Sequence, residues 1–307
     1  MAGLKSAKIK SILAIIAIGF IGGSISPYTI KILRNDFGPF TIVFWRFFLA
    51  TLFFLTVFNW KSFRLKKIKQ LSFLGIFYFA NIVLFSWGIK YTTGIASQLL
   101  YVLTPVLVML GAFLLLKETI TKIQIAGTII TFIGVLFFLL KSTVSDPSLV
   151  NSLGTFKGNL AIFIGIFCWS IFIIESRRYL RDIPSQEITL FSFITTSLLS
   201  LPLMIIESTT SGFFNRINLL QIVLFLVLAL ISSVAFLVLQ QYALSQLKAF
   251  YVSFSTYLGM FFTGLTGIIF FNEKLSLYLV IGLIFISIGS FLVMVNRFKK
   301  KMLYFNR

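Results

Sequence analysis

Ten apolar runs, each about twenty residues long, follow one another with only short polar segments between them: 11–30, 39–58, 71–90, 97–116, 123–140, 158–176, 188–206, 219–240, 250–271 and 277–295. Coiled as an α-helix, a run of this length crosses roughly 30 Å, the hydrocarbon core of a bilayer. A soluble fold would have to hide every one of them from water. The chain is 58% hydrophobic and 11% charged, where soluble domains run at about 45–50% and about 25%, so it lacks the polar surface to do so. The expected fold is all-α and integral to the membrane, with ten transmembrane helices. Lys5, Lys8 and Lys10 precede the first run in the manner of a signal peptide. The run is too long for an h-region and no small-residue cleavage site follows it, so it is read as a retained span.

The formal charge of +19 would suit nucleic acid only if the cations formed a basic face or stripe. Here they lie in short loops between apolar runs, where they report topology instead. With ten spans both termini lie on one side. Nineteen Lys and Arg residues fall on that side, against seven on the other, and Arg46 lies inside a span. Both termini are therefore expected in the cytoplasm, and the chain is expected in the cytoplasmic (inner) membrane as a multi-pass protein.

Cys168 is the single cysteine, and the chain has no histidine. Disulfide frameworks and His- or Cys-cluster metal sites are excluded on that ground, and no metal or cofactor is expected. A Gly-rich phosphate loop, which an ATP-driven pump would carry, is absent from the sequence.

Sliding the chain against itself reveals a repeat. At an offset of 155, Trp87 meets Tyr242, Glu118 meets Glu273, Gly127 meets Gly282 and Gly134 meets Gly289. Earlier spans agree at shorter offsets: Leu33-Arg34 with Leu180-Arg181 at 147, and Thr41 with Thr189 at 148. Two units result, 1–145 and 146–307, each of five spans. Because five is odd, the second unit enters the membrane from the side opposite to the first. Such inverted repeats are typical of secondary transporters, in which two halves rock about a shared central site.

The stretches FWRFFLA around Arg46, LTPVLVMLGAFLLLKETIT from Leu103, IAGTIITFIGVLFF from Ile125 and GIIFFNEKLSLYLVIGLIFISIGSFLV from Gly267 together resemble the drug/metabolite transporter superfamily, and within it the EamA-type ten-helix carriers. The resemblance covers nearly the whole chain. It implies an inner-membrane carrier without bound cofactor, often an exporter of amino acids, their metabolites or related organic solutes.

Candidate site residues follow from the repeat, because a central site should be lined by equivalent faces of the two halves. Tyr78, Asn81 and Phe85 share a helical face, and the offset carries Tyr78 to Ser233 and Phe85 to Gln240. Gln98 and Tyr101 lie one turn apart, and their counterparts are Ser253 and Thr256. Trp169 and Ser24 are expected to close the ring. Each hydroxyl has a plainer reading, as a hydrogen bond between helices that touches no solute.

Arg46 either faces a substrate anion or pins helices together, the latter through backbone carbonyls or by extending its long stem. Glu118 and Glu273 end spans beside lysines and precede Thr121 and Ser276 by three residues, with Gln124 completing a capping box on Thr121. They are read as structural turns. Pro27, Pro105 and Pro202 lie inside spans and are expected to bend them.

The expected function is a secondary transporter for a small organic solute, with that solute and the lipid bilayer as partners and either a monomer or a homodimer as the working unit. A channel or a structural membrane protein is the alternative. A membrane-embedded transferase would need clustered acids, a histidine base or metal ligands, and the eight acidic residues are scattered.

Overall fold

A computed structural model describes residues 2–60, 67–116, 121–141, 150, 152–208, 217–273 and 276–298. Among the described residues the chain is helical nearly throughout, with no strand. The helices are α1 (Ile9–Leu33), α2 (Pro39–Val57), α3 (Ile68–Gly88), α4 (Gly94–Leu115), α5 (Lys122–Lys141), α6 (Phe156–Tyr179), α7 (Ser185–Glu207), α8 (Leu219–Gln246), α9 (Ala249–Phe271) and α10 (Leu277–Phe298). The first nine are each long and apolar enough to cross a membrane, and α10 contains the apolar stretch Val280–Gly289.

Local chemistry explains where the helices begin. Pro39 opens α2 with its φ already helical, after the extended Gly38. Thr93 caps α4 by accepting from Ala96 N at 3.1 Å, and Thr155 caps α6 by accepting from Gly158 N at 3.3 Å. Asn218 and Gln221 form a full capping box on α8, with bonds of 2.7 and 3.2 Å. The expected box at α5 is present in part: Thr121 N donates to Gln124 Oε1 at 3.0 Å. Glu118 lies outside the described residues. Ser276 O accepts from Val280 N at 3.1 Å, the first helical bond of α10.

Glu273 acts well beyond a local turn. Asn272, in the left-handed conformation at φ 51°, ends α9 and turns the following carboxylate back into the protein. Glu273 Oε1 accepts from Lys31 Nζ at 2.8 Å and Gly94 N at 3.1 Å, and Oε2 accepts from Ile95 N at 3.0 Å. One buried carboxylate of the second half thus satisfies the start of α4 and holds the end of α1, both in the first half. Glu207 does the same for α2, accepting from Thr41 N at 2.7 Å and Thr41 Oγ1 at 2.8 Å.

The packing of helices is symmetric under exchange of the halves. α1 packs on α9 as α4 packs on α6, α1 on α8 as α6 on α3, and α2 on α8 as α7 on α3. The pairs α2–α7, α5–α10 and α4–α9 map onto themselves. This is the contact map of two equivalent five-helix units, and with an odd number of crossings in each they run antiparallel. The repeated glycines all fall at the α5–α10 crossing: a Cβ on Gly134 would meet Phe285 and Ile286, one on Gly282 would touch Phe138, and one on Gly289 would overlap Thr131 and Gly127 O. Small residues let the two backbones approach closely. Outward faces carry large exposed apolar side chains such as Leu114, Ile206 and Phe270, which is what a lipid-facing wall requires.

Four helices are irregular, and all four border the centre. α1 widens into a π-helix over Ile21–Ile25 and α8 over Val227–Ala235. α4 is broken between helices ending at Tyr101 and starting at Thr104, and α9 between helices ending at Val252 and starting at Ser255. In α4 the missing N–H of Pro105 explains the break. In α9 the chain has Met260 at the equivalent place, and hydroxyls compete instead: Ser253 Oγ donates to Phe250 O at 2.7 Å and Thr256 Oγ1 to Ser253 O at 2.8 Å. Pro27 follows the π-helix of α1, whereas Pro202 is accommodated within a continuous helix, Ser185–Ser208.

Candidate substrate chamber

The irregular helices surround a cavity of about 90 Å³ between the halves. At roughly 30 Å³ for each water in the liquid, it has room for about three of them. From the first half it is lined by Gly19, Gly22, Gly23 and Ser26 of α1, Arg46 of α2, Tyr78, Asn81 and Phe85 of α3, and Gln98 and Tyr101 of α4. Trp169 of α6, Ser232 and Phe236 of α8, and Ser255, Thr256 and Gly259 of α9 supply the other side. Of the four irregular helices, α4 and α9 are counterparts in the two repeats, and interrupted helices in corresponding positions of two halves are a pointer to a transporter's binding site.

Arg46 is 3% exposed. Its Nε donates to Ser233 Oγ at 2.6 Å, its Nη2 to Ser232 O at 2.5 Å, and its Nη1 to Ser26 Oγ at a long 3.5 Å. Its guanidinium carbon sits 4.9 Å from the Phe47 ring centre. Every oxygen it reaches is neutral, and among the described residues no carboxylate forms an ion pair with it.

Asn81 donates from Nδ2 to Tyr101 OH at 2.6 Å and to Gly165 O at 2.9 Å, tying α3 to α4 and α6. Gln98 Nε2 reaches Gly22 O at 3.3 Å. Aromatic rings form one wall: Trp169 stacks on Phe172 with centroids 5.4 Å apart and lies 6.0 Å from Phe236, while Tyr78 leans on Phe172 at 5.0 Å and on Phe47 at 5.6 Å.

Of the residues singled out by sequence, Tyr78, Asn81, Phe85, Gln98, Tyr101, Trp169, Thr256 and Arg46 meet in this cavity. Ser233, Gln240, Ser253 and Ser24 lie outside its lining. Ser233 stands one layer behind, accepting from Arg46 and donating to Leu228 O at 2.9 Å. Gln240 is buried, and neither of its amide atoms has a hydrogen-bond partner among the described residues. Ser253 bonds within the break of α9. Ser24 turns toward α9, hydrogen-bonded to Thr266 Oγ1 at 2.7 Å.

On α8, Ser233 lies inside the π-helix, whose wider turn breaks the register that the repeat offset assumes, and its neighbour Ser232 lines the cavity instead. Gln240 follows the lining residue Phe236 by one α-helical turn and falls outside the lining. Ser26, Ser232, Ser255, Phe236, Ile18, Ile82 and the glycines are the lining residues that sequence reasoning missed. The cluster Gly19, Gly22 and Gly23 within one apolar run was the available signal, since small residues mark close helix contacts. A Cβ on Gly23 would overlap the backbone of Gly259.

The EamA-like transporter family matches this chain twice, at residues 9–140 and 156–295. The uncharacterized transporter YyaM of Bacillus subtilis (strain 168) is 30% identical over 166 residues, an alignment spanning 52% of this chain and 53% of that one. An uncharacterized transporter of Archaeoglobus fulgidus is 26% identical over 270 residues, 86% of this chain and 90% of its own. A solved crystal structure only 17% identical shares the fold at a TM-score of 0.64, covering 95% of this chain and 98% of that one. A duplicated five-helix fold with a cavity between its halves, matched by the same family in each half, makes this chain a multi-pass membrane transporter of the EamA-like family, within the drug/metabolite transporter superfamily.

Proposed function

We propose that this transporter is a secondary carrier that moves a small organic solute across the cytoplasmic membrane by alternating access. The solute is an amino acid, an amino-acid metabolite or a related compound, and export is the direction we favour. The observation that carries this reading is the chamber itself, small and set where the two halves meet, with irregular helices from both around it. Tyr78, Asn81, Gln98, Tyr101, Trp169 and Thr256 are the proposed solute contacts. The positive-inside distribution supports both termini in the cytoplasm. On that orientation the Glu273 clasp between α1, α4 and the α9–α10 turn lies at the outer end, and rocking of the halves must release it.

Counterflow in proteoliposomes tests the proposal. Vesicles preloaded with unlabelled amino acids and organic acids should accumulate the same labelled solute transiently, faster than empty vesicles do. Flux that never shows stimulation from the opposite side would favour a channel and contradict the carrier reading.

A further inference from the structure

We infer that the chamber selects a small organic anion, a single carboxylate on a partly apolar body, and that Arg46 is the group that binds the carboxylate. This rests on the carrier reading and narrows its substrate class.

Among the described residues, Arg46 is the only formally charged side chain lining the chamber. A buried guanidinium is held at low cost only when a charge and hydrogen bonds compensate it. Here three of its five N–H groups reach neutral oxygens, one of them at 3.5 Å, and the remainder have no protein acceptor among the described residues. A planar fork with free N–H groups at a cavity wall matches the geometry of a carboxylate. α8 holds the fork from behind through Ser232 O and Ser233 Oγ, so its orientation is fixed before a ligand arrives.

The opposite charge has no equivalent host. No carboxylate lines the chamber among the described residues, so an ammonium group would meet only amide and hydroxyl oxygens beside a fixed positive charge. Trp169, Phe236 and Phe85 offer an apolar surface for the rest of the solute. Loading also cancels the one net charge in the chamber. The loaded carrier therefore passes through its occluded state without an unpaired charge in the low-dielectric interior, whereas the empty one carries it.

The test uses the purified full-length protein and probes that share a skeleton and differ in charge: 4-methylpentanoate, its neutral amide and its amine, with benzoate and benzamide as a second pair. Binding is read by thermal unfolding over a ligand titration, and exchange by inhibition of counterflow. At least one carboxylate should stabilise the wild type and compete for exchange, with its amide about tenfold to a hundredfold weaker, the range of a charge-assisted hydrogen bond. Arg46→Gln should lose that preference, and Arg46→Lys should keep the preference for the anion with weaker binding. Should Arg46→Gln fail to fold, the comparison of acid, amide and amine on the wild type decides alone. Amides or amines binding as well as the acids, or none of the five binding, overturns the assignment. Counterflow of other solutes would then leave the carrier reading standing, whereas absence of counterflow for every solute removes both.

Discussion

A charged residue near the centre of a transmembrane helix costs about 2.5–3.5 kcal/mol on insertion scales, and α8 offsets part of that cost for Arg46 with a carbonyl and a hydroxyl. The two readings that the sequence allowed, pinning helices and facing a substrate anion, are compatible: the same guanidinium uses one edge for α8 and leaves another toward the cavity. Asn81 and Gln240 form an instructive pair of buried amides. Asn81→Leu removes the bonds to Tyr101 OH and Gly165 O and should both lower the unfolding temperature and impair transport, by roughly 1–2 kcal/mol for each membrane hydrogen bond. Gln240→Leu removes an amide that has no partner among the described residues, so it should be neutral or stabilising with transport retained. Thermal unfolding and counterflow on the two variants check this, and equal damage in both would place Gln240 back at the chamber. Tyr78, Asn81, Gln98 and Tyr101 fall on the cavity wall because α3 and the first part of α4 are regular helices, where spacing alone fixes the face. Ser233 falls behind it because no residue in α8 announces a π-helix.

At the scale of elements, hydropathy located every span to within a few residues, since the bilayer imposes length and apolarity on each helix independently. Breaks within spans were less legible. Pro105 marks the interruption of α4, but α9 breaks at Ser253–Phe254 with no proline nearby, and α1 widens into a π-helix just ahead of Pro27. What sets the chamber's width is the approach of α1 to α9 at Gly23 and Gly259. Gly23→Ala would drive a methyl into Gly259's backbone, which no rotamer change can relieve. It should cost roughly 1–3 kcal/mol, as overpacking does, and reduce transport as the helices part. Gly264, on the same helix α9, has open space around its Cβ position, so Gly264→Ala should be neutral or stabilise by about 0.5–1 kcal/mol. Similar unfolding temperatures for the two variants would show that the α1–α9 contact is looser than described.

For the whole molecule, the repeat was legible from a handful of residues, and the reason is physical: a Cβ on Gly134 or Gly289 would overlap the facing helix at the α5–α10 crossing. Cross-half bonding was not legible. Nothing in the sequence links Glu273 to Gly94 and Ile95, or Glu207 to Thr41, because those partners are backbone groups far away in the chain. These clasps join the two halves, and a carrier must rearrange such contacts in every cycle while keeping each half intact. Alternating access requires one chamber exposed to the two faces in turn. Thr256→Cys, in a Cys168→Ala background and in sealed vesicles of known orientation, places a thiol in the chamber lining, where a membrane-impermeant maleimide reports access from each side. The thiol should react from both faces, and an occluding substrate should slow both reactions. Reaction from one face alone, under all substrate conditions, would contradict alternating access.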